Sequence, residues 1–546
     1  MFSETSERDV LGRIGILATK TGKLETPALF PVVNPLAQEI SPRFMHETLG
    51  CRALMTNAYL VRRRARVTSV VDVHDLLDFP SVIATDSGAY QILRYGEVEV
   101  SPSEIVQYQQ SIQTDIGVIL DVPTGSRASR IHAMETVNET IRRADEARKV
   151  ITRRDIAWVG PIQGGQYPDL IAYSAREMSQ REFDIYALGS PTEVMEQYLF
   201  ADLVDMILAA KTNLPANVPF HLFGAGHPFM FALAVALGCD LFDSAAYILY
   251  ARRGRYLTQA GTMHLEAMRY FPCRCSACTK TSPDEARSSS AVERTRFLAQ
   301  HNLSACFQEL DTIKEAIVEG RLWELIEARC RSHPSLLEAL RRTKRYESHM
   351  ARVAPSTKRR GIFYFDSTSL QRPEHVTHLK RLLEDYVSPS SARTVLLIPA
   401  ARQRPPANNW STNARLKGLG RTTHICLYYP PYGIIPSELE DTFPFSQTES
   451  SEKPDSETLA AMVETVRTYL AKNRHYRALV LLHSDKEWQR DFAAMCRQVC
   501  RMLRVRFLTG SERKMSIGRV EKLGKQKRYL DKASKRRPQR RRKSQG

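Results

Sequence analysis

The sequence has no run of about 18 uninterrupted apolar residues, which excludes a bilayer-spanning helix read from hydropathy, and no membrane partner is expected. Its opening residues, MFSETSERDV, are polar and charged. They lack the apolar core of a secretory leader, so the expected location is cytoplasmic. Cysteine is sparse: ten in 546 residues, scattered except for three within six positions, which excludes a secreted disulfide framework. Most of the others, such as Cys51, Cys239 and Cys426, stand among apolar neighbours, as buried thiols do. An acidic balance is also missing, since the formal net charge is +18. That charge is concentrated: residues 511–546 hold 15 Lys+Arg against 3 Asp+Glu. A basic arm of this kind suits a polyanion, nucleic acid first, with a solvated solubility tail as the plain alternative.

What is present is globular. The hydrophobic fraction of 43% is ample for a packed core, and the length points to two or more domains. Eight short apolar runs punctuate residues 28–247: ALFPVVN, ALMTNAYL, SVIATDSG, IGVILDVP, AWVGPIQGG, DIYALGS, PFHLFGAG and DLFDSAAY. Stretches with helical spacing, such as AMETVNETIRRADEARKVI, separate them. Eightfold strand–helix alternation predicts an α/β fold with parallel strands, closing into a TIM (β/α)8 barrel; an open doubly wound sheet is the rival. The runs end on Asn34, Asn57, Asp86, Asp121, Gln163, Gly189, Gly226 and Asp243. In a barrel those ends face one pocket, although each alone also suits a helix cap or turn.

Two segments carry most of the chemistry. DSGAY (86–90) and DSAAY (243–247) each end an apolar run with an aspartate followed by small residues. Two carboxylates on one pocket can divide labour, one as nucleophile and one as acid or base. Ser87-Gly88-Ala89 and Ser244-Ala245-Ala246 let a planar ligand approach the backbone. Asp121 adds an acceptor, Gln163 an amide, and Gly164-Gly165 open backbone, a set suited to a heterocyclic base. Separately, CRCSAC supplies Cys273, Cys275 and Cys278 at a spacing that can wrap one tetrahedral ion. The fourth ligand is open between His301, His264 and Cys306, and a Cys3His set favours zinc over an iron–sulfur cluster.

ATDSGAYQ, ILDVPT, PIQGG, HLFGAGHP, LFDSAAY, RYLT and FPCRCSAC with a downstream histidine, in that order, resemble the tRNA-guanine transglycosylase family over about residues 8–345. HLFGAGHP and the stretch after LFDSAAY are similar to its archaeal branch. The resemblance implies a zinc-bearing TIM barrel that exchanges guanine at position 15 of the tRNA D-loop for 7-cyano-7-deazaguanine (preQ0), in archaeosine biosynthesis. It implies Asp243 as nucleophile and Asp86 as acid/base group. Asp121, Gln163, Gly164, Ser87 and the backbone at Gly189 would contact the base. Cys273, Cys275, Cys278 and His301 would hold one structural zinc. It also implies a homodimer.

Two departures stand out. Gly189-Ser190 occupies a place where the family usually has two glycines. A second α/β domain is expected over 361–510, built on GIFYFD, RTVLLIPA, HICLYYP and ALVLLHSD, where archaeal relatives usually end in an RNA-binding PUA domain. Part of it, VLLIPAARQRPPANN, resembles archaeosine synthase, but the cysteine, lysine and histidine of that enzyme's motif are replaced at Ala400, Arg404 and Thr412. The expected organisation is therefore a barrel over 1–345 with a zinc subdomain near 270–305, a tRNA-holding accessory domain, and a basic tail over 511–546. A separate PUA-domain protein is a possible partner. The alternatives are an archaeosine-synthase-like tRNA modifier and a noncatalytic tRNA-binding subunit.

Overall fold

The structure, a computed structural model, describes residues 2–65, 72–88, 101–400, 421–484 and 486–511. Ala89 and Tyr90 of the first aspartate segment, Arg404–Thr412 and all but the first residue of the basic tail lie outside the described residues. The chain packs as two units, Met1–Arg359 and Arg360–Gly546.

The first unit opens with a three-stranded antiparallel sheet, β1 (Phe2–Asp9), β2 (Gly12–Ala18) and β3 (Lys23–Thr26). Eight parallel strands follow: β4 (Ala28–Pro31), β5 (Ala53–Asn57), β6 (Val82–Asp86), β7 (Ile116–Val118), β8 (Ala157–Ile162), β9 (Ile185–Leu188), β10 (Phe220–Leu222) and β11 (Leu241–Ser244). Each of the eight apolar runs contributes one of them. They hydrogen-bond in chain order from β5 to β11, and β11 pairs with β4. The Val33 N–H donates to Met55 O at 2.8 Å beside a parallel Val32–Met55 bridge, which joins β4 to β5 and closes the ring. The open-sheet rival is thereby excluded.

Side chains alternate in and out along each strand. The inward set includes Ala53, Met55, Val82, Ala84, Val159, Ile185, Ala187 and Leu241, packed with Leu17 and Leu24 of the leading sheet. That sheet closes the N-terminal end of the barrel, where Arg13 pairs with Asp240 through hydrogen bonds of 2.8 and 2.9 Å. The outward set, among it Ile162, Leu188, Phe220 and Phe242, packs under the helices. After the barrel come the hairpin β12 (Arg255–Thr258) and β13 (Gly261–His264), the cysteine loop, and a 28-residue helix, Ala291–Val318, started by a reciprocal Ser290–Glu293 capping box. Helices continue to Val353, past the expected end near 345. The side chain of Lys358 is buried, with its Nζ 2.7 Å from Asp9 Oδ1.

The second unit holds β14 (Ile362–Tyr364), β15 (Thr394–Pro399), β16 (Thr423–Tyr429), β17 (Tyr432–Pro436), β18 (Thr448–Ser450), β19 (Ala478–His483) and β20 (Arg506–Ser511). Five of them form one sheet in the order β17-β16-β15-β19-β20, parallel except for the β16–β17 hairpin. The four expected strands are β14, β15, β16 and β19. Within the polar segment FPFSQTESSEKPDSE, Thr448–Ser450 pairs with β14 as a three-residue strand. That pairing is tertiary, and so short a polar segment carries no alternation of its own.

Candidate active site and metal centre

Strand parity positions the site. Val82 and Ala84 point into the barrel, so Asp86, two residues on, does so at the C-terminal rim. The same rule carries Asn57 inward from Met55, Gln163 from Val159 and Asp243 from Leu241. All eight run-ending residues, Asn34, Asn57, Asp86, Asp121, Gln163, Gly189, Gly226 and Asp243, line a single cavity of about 1050 Å³. Ser87 and Gly164 are buried but lie off its wall. The Gly164 N–H donates to Thr124 Oγ1 at 3.2 Å, whereas Ser87 Oγ is enclosed with no hydrogen-bond partner among the described residues.

The three carboxylates sit in different surroundings. Asp86 accepts from Asn57 Nδ2 at 2.9 Å. Burial, and then the charges of Asp121 and Asp243, push its pKa up to about 7. Asp121 is raised to about 6 by burial, and the Gln163 amide, whose Nε2 donates to Oδ2 at 2.5 Å, opposes that rise. Asp243 Oδ1 accepts the Gly224 N–H at 3.0 Å. His221 Nε2 lies 2.9 Å from the same oxygen, an ion-pair distance without well-aligned hydrogen-bond geometry.

The wall around Gln163 is tightly fitted. A Cβ on Gly189 would fall 2.1 Å from Gln163 Nε2, so only glycine lets that amide lie flat across the strand end. Ser190 follows with φ +61°, a left-handed conformation that costs a non-glycine residue about 1 kcal/mol. Its Oγ accepts the Thr124 N–H at 3.0 Å and donates to Gln163 Oε1 at 3.0 Å.

His221, Asn57, Thr124 and Ser190 were not among the residues expected to act. His221 did leave a signal. It is a polar residue in the middle of an apolar run, and Phe220 and Leu222 pack outward, which turns it inward beside Asp243. Ser190 stood out only as a departure from two glycines and Thr124 left no signal, because both contacts depend on a loop approaching from another strand.

Cys273, Cys275, Cys278 and His301 form the one such group found among the described residues, with ligand atoms all within 4.8 Å of one another. His301 Nδ1 is 3.7 and 3.4 Å from the Cys275 and Cys278 sulfurs, spacings that suit tetrahedral coordination of one metal ion. The other ring nitrogen lies 2.9 Å from Leu257 O, and Tyr256 stacks on the imidazole at 3.4 Å, so Nδ1 is aimed at the sulfurs. The alternatives fall away: His264 is exposed, and Cys306 is buried with its thiol 3.5 Å from Gly226 O. Asn302, next to His301, donates to the carbonyls of Tyr247 and Arg255 at 3.1 Å. This ties the metal lobe to the DSAAY segment.

Residues 9–335 match the family model described as queuine tRNA-ribosyltransferase, and residues 376–525 match a domain family of unknown function, DUF5591. The chain is 40% identical to a tRNA-guanine(15) transglycosylase of Sulfolobus acidocaldarius, over 88% of this chain and 95% of that protein. It is 42% identical to one of Pyrobaculum aerophilum, over 82% of this chain and 90% of that protein. A third, from Saccharolobus solfataricus, is 38% identical over 88% of this chain and 97% of its own length. With a barrel whose rim carries three carboxylates, a Cys3His centre and these relatives over most of its length, the chain belongs to the queuine tRNA-ribosyltransferase family of tRNA-guanine transglycosylases.

Proposed function

We propose that the enzyme replaces guanine at position 15 of tRNA with 7-cyano-7-deazaguanine through a covalent aspartyl–ribose intermediate. The observation that carries this reading is the pair Asp86 and Asp243 on one cavity, in unlike environments. Asp243, whose Oδ1 takes the Gly224 N–H, attacks C1′ of the ribose while the glycosidic C–N bond breaks. Asp86, poised near neutrality, gives its proton to the departing guanine. The incoming base then loses its ring N–H proton to Asp86 and attacks C1′, and Asp243 leaves as carboxylate. Asp121 and Gln163 hold the base edge. The target nucleotide has to leave its stack to enter the pocket.

The test uses unmodified tRNA carrying tritiated guanine at position 15, incubated with and without 7-cyano-7-deazaguanine. Label released only with the deazaguanine supports the reaction and its substrate together. No release, with tRNA binding confirmed in the same sample, replaces it with the noncatalytic-subunit or later-modifier reading.

The Cys3His donor set fits zinc, held by Cys273, Cys275, Cys278 and His301, with all four positions protein-filled and hence structural. Cys275→Ser is expected to lower bound zinc below one per chain and to drop the melting temperature of the barrel unit. Metal analysis and calorimetry read both; unchanged stoichiometry would remove the assignment.

We assign the accessory unit to holding tRNA. Arg490, Arg497 and Arg501 are exposed on the helix Glu487–Met502, with Arg504 just beyond it. Offsets of seven and four residues put the first three on one stripe, and none has a carboxylate partner among the described residues. Replacing those three with glutamine should flatten the salt dependence of tRNA binding by roughly two to three units of log–log slope. Deleting 511–546 should flatten it further. Unaltered slopes would return both features to solvated surface. A homodimer, and a separate PUA-domain partner, complete this reading.

A further inference from the structure

We infer that Ser190 is a specificity-determining positioning residue: its hydroxyl locks the Gln163 amide in the one orientation that reads the base. This rests on the base-binding reading of Gln163 and Asp121 above.

Gln163 can present its side-chain oxygen or its nitrogen to Asp121. The nitrogen faces it, with Nε2 to Asp121 Oδ2 at 2.5 Å. A flip would set carbonyl oxygen against carboxylate. What prevents the flip is the set of donors around Oε1: Thr124 N at 3.1 Å, Thr124 Oγ1 at 3.1 Å and Ser190 Oγ at 3.0 Å. The two hydroxyls are not equivalent. Thr136 Oγ1 gives its own proton to Ala133 O at 2.9 Å, so it can only accept from Thr124 Oγ1, 2.8 Å away. The single Thr124 proton is therefore contested. Ser190 Oγ accepts from Thr124 N, and its proton has Gln163 Oε1 as its acceptor among the described residues. Ser190 is the committed hydroxyl donor.

The backbone supports the same conclusion. At φ +61° glycine would be the unstrained residue, and a serine kept there is retained for its side chain. With the amide locked, one Nε2 hydrogen goes to Asp121 and the second is left for the ligand. The wall then offers an acceptor beside a donor in fixed order. It matches a base edge with an N–H donor beside a carbonyl acceptor, as guanine and its deaza analogues have, and mismatches the reverse order.

Ser190→Gly separates this role from a structural one, because the two predict opposite results. The variant relieves the backbone and orphans no donor, since Thr124 N keeps its bond to Gln163 Oε1. We expect the melting temperature to hold or rise. The KM for guanine in exchange, and its Kd by equilibrium dialysis with radiolabelled guanine, should rise about five- to tenfold, with kcat within about twofold. Ser190→Ala keeps the backbone strain and loses the hydroxyl, and should show the same rise in KM and Kd. Wild-type base affinity in either variant overturns the inference, as does a change in Gly absent from Ala, which would assign the effect to backbone freedom. If the wild type binds guanine without exchanging it, the reaction reading fails while the dialysis arm still decides Ser190. If it binds no guanine, both fall.

Discussion

Asp243→Asn should lower guanine exchange by at least about 10⁴-fold and abolish the RNA–protein adduct on a denaturing gel, with tRNA affinity little changed. The substitution is nearly isosteric and leaves an oxygen to take the Gly224 N–H, so the rim is expected to keep its shape. What disappears is the anionic oxygen that, in the proposed mechanism, bonds to C1′. An amide is a far poorer nucleophile and cannot leave as a carboxylate, so both halves of the exchange fail together. Retained adduct in this variant, lost instead in Asp86→Asn, would interchange the two roles. His221 gives a graded companion measurement: its Nε2 lies 2.9 Å from the Asp243 carboxylate, so removing the imidazole should weaken exchange without abolishing the adduct.

The sequence already carries much of the layout of the barrel rim. Apolar runs ending in polar residues record strand parity directly: Val82, Ala84 and Asp86 are one face of one strand, and the rim carboxylate is the face's last member. The cysteine spacing was equally readable, because turn residues two and three apart reach the same ion. Choosing His301 over His264 was not a matter of spacing from the residues alone. It depends on Tyr256 and Leu257, which lie in a hairpin folded back against the long helix. Ser190 was visible as a departure from two glycines, but its meaning lies in Gln163, 27 residues earlier and one strand away. Strand β18 is a further case: three polar residues become a strand because β14 presents an edge to them. Local pattern reports local periodicity; contacts made across the barrel or sheet leave no local trace.

Asp86→Asn should cost exchange about 10²- to 10⁴-fold and at the same time make the protein more stable at alkaline pH. Both effects follow from one cause. Enclosure in the cavity and the charges of Asp121 and Asp243 raise the Asp86 pKa from 3.8 to about 7. The folded state therefore holds a proton that the unfolded chain has released, and wild-type stability falls as the pH rises from about 4 to about 7. Above that window the folded state bears the full penalty of a buried carboxylate facing two others. Asparagine has no such penalty, so the variant should melt above the wild type at pH 8 and together with it near pH 4. Activity moves the opposite way. In the proposed mechanism guanine departs with a proton that Asp86 holds below about 7, so wild-type kcat/KM for tRNA should decline as the pH rises through that value. The residual activity of Asp86→Asn should lack that decline. Melting curves at the two pH values and a pH–rate profile of both proteins decide it: a decline that persists in the variant would assign the proton transfer to another group, with Asp121, raised to about 6, the first to examine.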